Sequence, residues 1–235
     1  MNAVFFEAPG QGGSPTPRDG EPGDQPHSPE PIINAPWTVV ALTVAIVVLY
    51  LIQKGMPFLV EALAFSPRRL AEGSLVGLVS SQFLHGSWAH ALMNAAFVLA
   101  FGAPVARYLG ARASGVVAFF LFYLLCGVLA ALGFAALNWG QDALMVGASG
   151  AASGLMGAAA RLIGGKGEPG PLFSQAVTSM GAAWIVINII MAFAGGALIP
   201  GAGSAGVAWE AHLAGFFAGV LLIGPFGWLA GQRPT

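Results

Sequence analysis

Six stretches of the chain are apolar over the length of a helix, and short polar segments separate them. They cover residues 36–53, 89–108, 113–137, 148–163, 176–198 and 208–230. A helix needs about 17–25 consecutive apolar residues to cross the hydrocarbon layer of a bilayer. The stretch 148–163 is shorter and rich in Gly and Ala, but a short span that other helices surround need not meet lipid. The pattern therefore predicts an all-α membrane protein, a bundle of six transmembrane helices.

Residues 56–88, between the first two predicted spans, follow a different pattern. Proline and charged residues interrupt this segment, and its apolar part, residues 70–84, is punctuated by Gly and Ser. It is too broken for a span and too apolar for a solvated loop. We therefore predict a membrane-dipping loop between helices 1 and 2, lying at the interface.

The composition agrees with a membrane protein and divides the chain into three parts. Charged residues make up 8% and hydrophobic residues 56%, whereas soluble domains have about 25% and 45–50%. Five of the ten acidic residues fall within the first thirty, among repeated Pro and Gly. Such a segment cannot bury enough apolar surface to offset its ordering entropy. We predict a disordered tail over 1–35, a membrane domain over 36–230 and a short C-terminal tail over 231–235.

Charge and cysteine content also limit the partners and cofactors. The formal net charge is −1, so nothing suggests nucleic acid as a partner. Cys126 is the single cysteine and lies in an apolar run, which excludes an intrachain disulfide and argues against a zinc site. We expect no metal and no organic cofactor. The sequence does not indicate an oligomeric state.

The positive charges of the short loops favour one orientation in the membrane. With six spans both termini lie on the same side. Cytoplasmic termini leave Lys54, Arg68 and Arg69 outside, and the positive-inside rule favours this choice modestly. They place more of the basic residues inside, namely Arg18 in the tail, Arg107, Arg112, Arg161, Lys166 and Arg233. This orientation puts the start of the 148–163 helix toward the external face.

Ser149 is a candidate nucleophile at the start of the short span. Gly147, Gly150 and Ser153 surround it in overlapping small-xxx-small patterns. Such patterns are common wherever helices pack closely in lipid. Taken alone, the pattern indicates helix packing more often than catalysis.

His212 is the candidate base, on the last predicted span. Gly215 and Gly219 follow it at three and seven residues and share its face, so this helix can approach a neighbour closely. If that neighbour is the helix of Ser149, the hydroxyl meets the imidazole. Glu210 projects to the opposite side of the helix, so we expect a Ser-His dyad rather than a triad.

Three further polar residues are candidates for the site. His90 and Asn94 are four residues apart on one helical face, and they could donate hydrogen bonds to an oxyanion together with the Ser149 N–H at a helix N-terminus. The alternative is a pair that holds the bundle together through interhelical hydrogen bonds. His85 lies at the end of the dipping loop, where we expect a structural hydrogen bond.

These residues together resemble the rhomboid family of intramembrane serine proteases, of the bacterial type. The motifs occur in the family's order: His85-x4-His90-x3-Asn94, Gly147-Ala-Ser149-Gly150 and Ala211-His212-x2-Gly215-x3-Gly219. The resemblance covers roughly residues 36–230. It implies Ser149 as nucleophile, His212 as base, and His90, Asn94 and the Ser149 amide as the oxyanion site. It also implies that Gly215 and Gly219 pack toward the serine helix.

The chain departs from the family pattern at two places. Some bacterial members have a tyrosine four residues after the nucleophile, beneath the histidine ring, where this chain has Ser153. Their first loop often contains a Trp-Arg pair, whereas the nearest basic cluster here is Arg68-Arg69. How the imidazole is supported is therefore open.

The resemblance implies an endopeptidase of a bacterial inner membrane that cleaves in or near transmembrane helices of single-span or other membrane-protein substrates. The fifth span, with Trp184 and Phe193, is then a candidate lateral gate; it could equally be a lipid-facing helix. Two other classes stay open. A small transporter would use His90, Asn94 and His212 as a polar pathway but predicts internal repeats, which we do not find. A non-catalytic membrane chaperone or adaptor would use the same fold.

Overall fold

The computed structural model describes residues 35–194 and 206–232, and this part of the chain is mainly helical. Its nine α-helices are α1 (Trp37–Lys54), α2 (Phe58–Leu63), α3 (Pro67–Ala71), α4 (Gly77–Ser80), α5 (Trp88–Leu109), α6 (Ala113–Leu137), α7 (Ser149–Gly164), α8 (Gln175–Ala194) and α9 (Trp209–Ala230). A 3-10 turn, Ser81–Phe83, follows α4. Nearly all of the predicted tail, the end of the predicted fifth span and residues 233–235 lie outside the described residues.

Five of the described helices, α1, α5, α6, α8 and α9, are long and apolar enough to cross a membrane. The remaining predicted span, 148–163, corresponds to α7, which has only 16 residues. Most of its side chains are buried among other helices, which include α5, α6, α8 and α9. The protein is therefore an all-helical, multi-pass membrane protein with a short, enclosed helix at its centre.

Helices α7 and α9 approach each other to backbone contact. A Cβ at Gly215 would overlap the carbonyl of Gly150, and one at Gly219 would overlap the carbonyl of Gly154. Lipid tails are as apolar as leucine, so moving an apolar side chain from lipid to a helix interface gains little free energy. Membrane helices are therefore held together by close packing and interhelical hydrogen bonds. Glycine at these positions allows that close packing and fixes α9 against the start of α7.

The predicted dipping segment folds as three short helices and the 3-10 turn. It is tied to the segment before α7, because the backbones of Phe65 and Met145 exchange N–H···O bonds of 3.0 and 2.8 Å. The Arg68 N–H donates to the carbonyl of Gln141 at 3.1 Å. Several apolar side chains of the predicted dipping segment are exposed: Phe58, Leu75, Val76 and Val79. The segment thus covers the end of the bundle at which Ser149 lies.

Candidate active site

Ser149 and His212 lie in direct contact. Ser149 is the first residue of α7, and His212 lies in the first turn of α9. The Oγ of Ser149 is 2.8 Å from the Nε2 of His212. The glycine contacts between the two helices bring the hydroxyl and the imidazole to this distance. Both residues line a cavity of about 360 Å³.

Asn188 is a third member of this chain of hydrogen bonds. It lies on α8, its side chain is buried, and its Oδ1 is 2.8 Å from the Nδ1 of His212. The sequence reasoning did not identify this residue. The sequence did contain a signal for Asn188, because an amide inside an apolar span is costly unless it is hydrogen-bonded. It did not indicate which residue would be the hydrogen-bond partner.

Trp184 supports the imidazole from one side. Its ring lies 5.7 Å from the His212 ring at an interplanar angle of 35°, and its other neighbours include Phe97 at 5.7 Å. Ser153, four residues after Ser149, donates its hydroxyl to the Ser149 carbonyl at 2.7 Å. The aromatic support missing from α7 is therefore supplied by α8.

His90 and Asn94 line the same cavity, close to the turn before Ser149. Gly147, two residues before the serine, has φ +126°, and a Cβ there would lie 2.7 Å from the Nε2 of His90 and 3.5 Å from the Nδ2 of Asn94. In the part of the chain that the structure describes, this Nδ2 is buried without a hydrogen-bond partner. A donor of this kind is available to a group that enters the cavity.

His85 lies beneath the Ser149 turn rather than in the cavity. Its Nε2 accepts a hydrogen bond from the Ala148 N–H at 3.4 Å. Gln53 of α1, a second residue that the sequence reasoning missed, holds the His85 backbone by donating to its carbonyl at 2.7 Å and accepting from its N–H at 2.9 Å. Burial, and then the nearby charge of His90, lower the pKa of His85 to about 3. The ring is therefore neutral and its Nε2 can accept.

The nearest acidic residue on α9 is turned away from the histidine. Glu210 accepts a hydrogen bond from the Nδ2 of Asn138 at 3.2 Å, so its carboxylate is not the group that contacts the Nδ1 of His212. Within residues 35–194 and 206–232, no group of three or more His, Cys, Asp and Glu side chains could hold a metal ion.

This arrangement provides the parts of nucleophilic catalysis. It has a hydroxyl hydrogen-bonded to an imidazole, an amide against the other nitrogen of the ring, and hydrogen-bond donors near the hydroxyl. Ser149 begins α7, where backbone N–H groups have no acceptor within the helix and the helix dipole favours negative charge.

Two comparisons with known proteins bear on the family of this chain. Among curated proteins, no sequence matches this chain. A family model for the rhomboid domain matches residues 72–228, which includes every motif residue from His85 to Gly219. Because that match covers well over half of the chain, the protein belongs to the rhomboid family, as its histidine, serine and glycine motifs predicted.

Proposed function

We propose that this protein is an intramembrane serine endopeptidase, which hydrolyses peptide bonds in or near the transmembrane helices of membrane-protein substrates. The observation that carries the proposal is the 2.8 Å contact between Ser149 Oγ and His212 Nε2 at the wall of a cavity. The rhomboid family includes inactive members that lack the serine or the histidine. This chain has both, in contact.

In the proposed reaction, Ser149 Oγ attacks the peptide carbonyl carbon while its proton passes to the Nε2 of His212. The imidazolium then gives that proton to the leaving amine nitrogen. Water hydrolyses the acyl-enzyme by the same route and regenerates the serine. The oxyanion accepts hydrogen bonds from the Ser149 N–H and from the side chains of Asn94 and His90.

We propose that α7 also spans the membrane, as the fourth of six spans in chain order and enclosed by the others, and that residues 56–88 dip into the membrane interface. The three-part division also stands as a proposal: an acidic tail over 1–35, the membrane domain over 36–230 and a short tail over 231–235. Both termini would be cytoplasmic in a bacterial inner membrane, with the cavity toward the outside. This position lets water reach Ser149 below the membrane surface.

The proposed substrates are single-span or other transmembrane proteins that enter laterally. Trp184 and Phe193 on α8 mark the proposed gate, and the Phe193 side chain is 90% exposed. A substrate helix must unwind to present a peptide bond, and broken backbone hydrogen bonds are costly in lipid. We therefore expect small or helix-destabilising residues near the cleaved bond.

The test uses purified protein in detergent with a single-span substrate. Wild type should cleave it and should be labelled at Ser149 by a fluorophosphonate, which needs no knowledge of the natural substrate. Ser149→Ala should do neither. Equal behaviour of the two proteins would end the protease proposal, and substrate that binds without cleavage would favour the adaptor alternative.

The role of Asn94 gives a separate prediction. Asn94→Leu should lower kcat by about 10²–10³-fold, as removal of one oxyanion donor does, with little change in KM. Because the Nδ2 of Asn94 has no partner to lose in the described structure, the unfolding midpoint should stay near that of wild type. A variant that loses stability in proportion to its activity would instead make Asn94 a packing residue.

A further inference from the structure

The orientation of the Asn188 amide follows from its second hydrogen bond. The Nδ2 donates to the Trp184 carbonyl at 2.8 Å. A carbonyl oxygen only accepts, so the NH₂ end of the amide must face Trp184 and the Oδ1 must face His212. The amide cannot be flipped without placing two acceptors against each other.

The protonation of His212 then follows from the Oδ1 of Asn188. A neutral imidazole has one N–H and one bare nitrogen. Since Oδ1 only accepts, the Nδ1 of His212 carries the hydrogen in their 2.8 Å contact. The Nε2 is therefore bare, and it accepts from the Ser149 hydroxyl. This is the tautomer that a general base for Ser149 requires.

We propose that Asn188 is a positioning residue that holds His212 in the Nδ1–H tautomer and in the ring orientation that reaches Ser149. The inference rests on the proposed function, because it assigns a role in that same reaction. It extends the expected dyad to a Ser149–His212–Asn188 arrangement with a neutral third member. When His212 takes the serine proton, its Nδ1–H stays bonded to Asn188 and no proton moves to the amide.

Because Asn188 lies on α8, the orientation of the His212 ring depends on where that helix packs. Both groups that hold the imidazole, the Asn188 amide and the Trp184 ring, belong to α8, and Ile187 and Met191 of the same helix line the cavity. A displacement of α8 therefore removes the acceptor and the ring contact together. The base is in its reactive orientation only while α8 lies against α9.

The experiment compares three variants on α8 in purified full-length protein. Asn188→Leu keeps the branching of the side chain at Cγ but removes the acceptor. Asn188→Asp keeps an acceptor for the Nδ1–H, and its carboxyl, in the protonated form that burial favours, can still donate to the Trp184 carbonyl as the amide does. Ile189→Ala is the matched control, because it alters the adjacent residue, whose side chain is exposed rather than buried against His212.

Asn188→Leu should lower kcat and the rate of fluorophosphonate labelling by about 10–10²-fold with KM unchanged. This loss is smaller than the ~10⁴-fold loss caused by a wrong tautomer where the partner is a charged carboxylate. Asn188→Asp should recover most of the rate, and Ile189→Ala should behave as wild type. Equal kcat in Asn188→Leu and wild type, or a failure of Asn188→Asp to exceed Asn188→Leu, would overturn the proposal.

A readout independent of activity separates this inference from the proposed function. The ¹⁵N chemical shifts of the His212 ring, assigned by their loss in His212→Gln, report the tautomer in detergent. Wild type and Ser149→Ala should both have a protonated Nδ1 and a bare Nε2, and Asn188→Leu should have a mixture. If wild type neither cleaves nor labels, the protease proposal fails while these spectra still decide the tautomer. A protonated Nε2 in wild type would refute the assignment of Asn188.

Discussion

Only a residue without a side chain fits the backbone conformation and the surroundings of Gly147. Its φ of +126° lies in the left-handed region, and the His90 ring occupies the space where a Cβ would lie. Gly147→Ala should therefore destabilise the fold by about 1–3 kcal/mol through backbone strain, and it should also displace His90. We expect a lower unfolding midpoint in detergent and a loss of substrate cleavage.

Gly140 separates these two effects. It also has a positive φ, +72°, but nothing lies within 4 Å of its Cβ position. Gly140→Ala should lose stability from strain alone and keep its activity. If both variants cleave substrate at the wild-type rate, the contact of Gly147 with His90 is not needed for the site.

The buried ring of His85 predicts a pH dependence of stability. Its pKa is about 3 in the fold and near 6.5 in an unfolded chain. Between these values the unfolded state binds a proton that the folded state does not. Stability should therefore decrease as pH falls below about 6.5, by at most about 1.4 kcal/mol per pH unit from this residue.

His85→Gln keeps a side-chain acceptor but does not titrate. Unfolding by increasing SDS, measured between pH 7 and pH 4, should give this variant a shallower loss of stability than wild type. Parallel curves for the two proteins would show that His85 is protonated in the fold or that another group dominates.

At the scale of the helices, the pairing of α7 with α9 depends on the absence of Cβ atoms. A Cβ at Gly215 would overlap the backbone carbonyl of Gly150. Backbone cannot rotate away as a side chain can. Gly215→Ala should therefore separate the helices, with a destabilisation of about 1–3 kcal/mol, as for overpacked cores, and a loss of fluorophosphonate labelling at Ser149.

Gly224 is the matched control on the same helix. The nearest atoms to its Cβ position belong to the Arg161 side chain, at 3.7 and 3.9 Å, which is ordinary contact. Gly224→Ala should keep wild-type labelling, and its higher helix propensity should leave stability equal or slightly raised. A Gly215→Ala protein that labels as fast as Gly224→Ala would show that close approach is not required.

At the scale of the whole molecule, the proposed orientation places the loop before α7 outside and the loop after it inside. Cys126 is the single cysteine and is buried, so Cys126→Ala provides a background for new cysteines. In intact cells, Gln141→Cys should react with a membrane-impermeant maleimide. Glu168→Cys should react only after the inner membrane is permeabilised. The reverse pattern would invert the topology.

Much of the fold follows from the sequence because apolar runs and small-residue spacing are local properties. Wherever both ends of a predicted span fall within the described residues, they agree with the observed helix to within one residue. The rhomboid family was identified from the motifs around His85, Ser149 and His212 and is confirmed. The roles of those residues in catalysis stay predictions. The dipping character of residues 56–88 also stays a prediction.

The sequence by itself determined the long helices and which two of them could approach closely, because hydrophobic length and glycine spacing are set by neighbours along the chain. Only the tertiary structure decided what surrounds the imidazole. Asn188 and Trp184 precede His212 by 24 and 28 positions, and Gln53 precedes His85 by 32. Their contacts depend on the rotation and depth at which α8 and α1 pack, which arise from all the side chains of the bundle together. The Nδ2 of Asn188 finds an acceptor within its own helix, but its Oδ1 has no partner until that packing supplies His212.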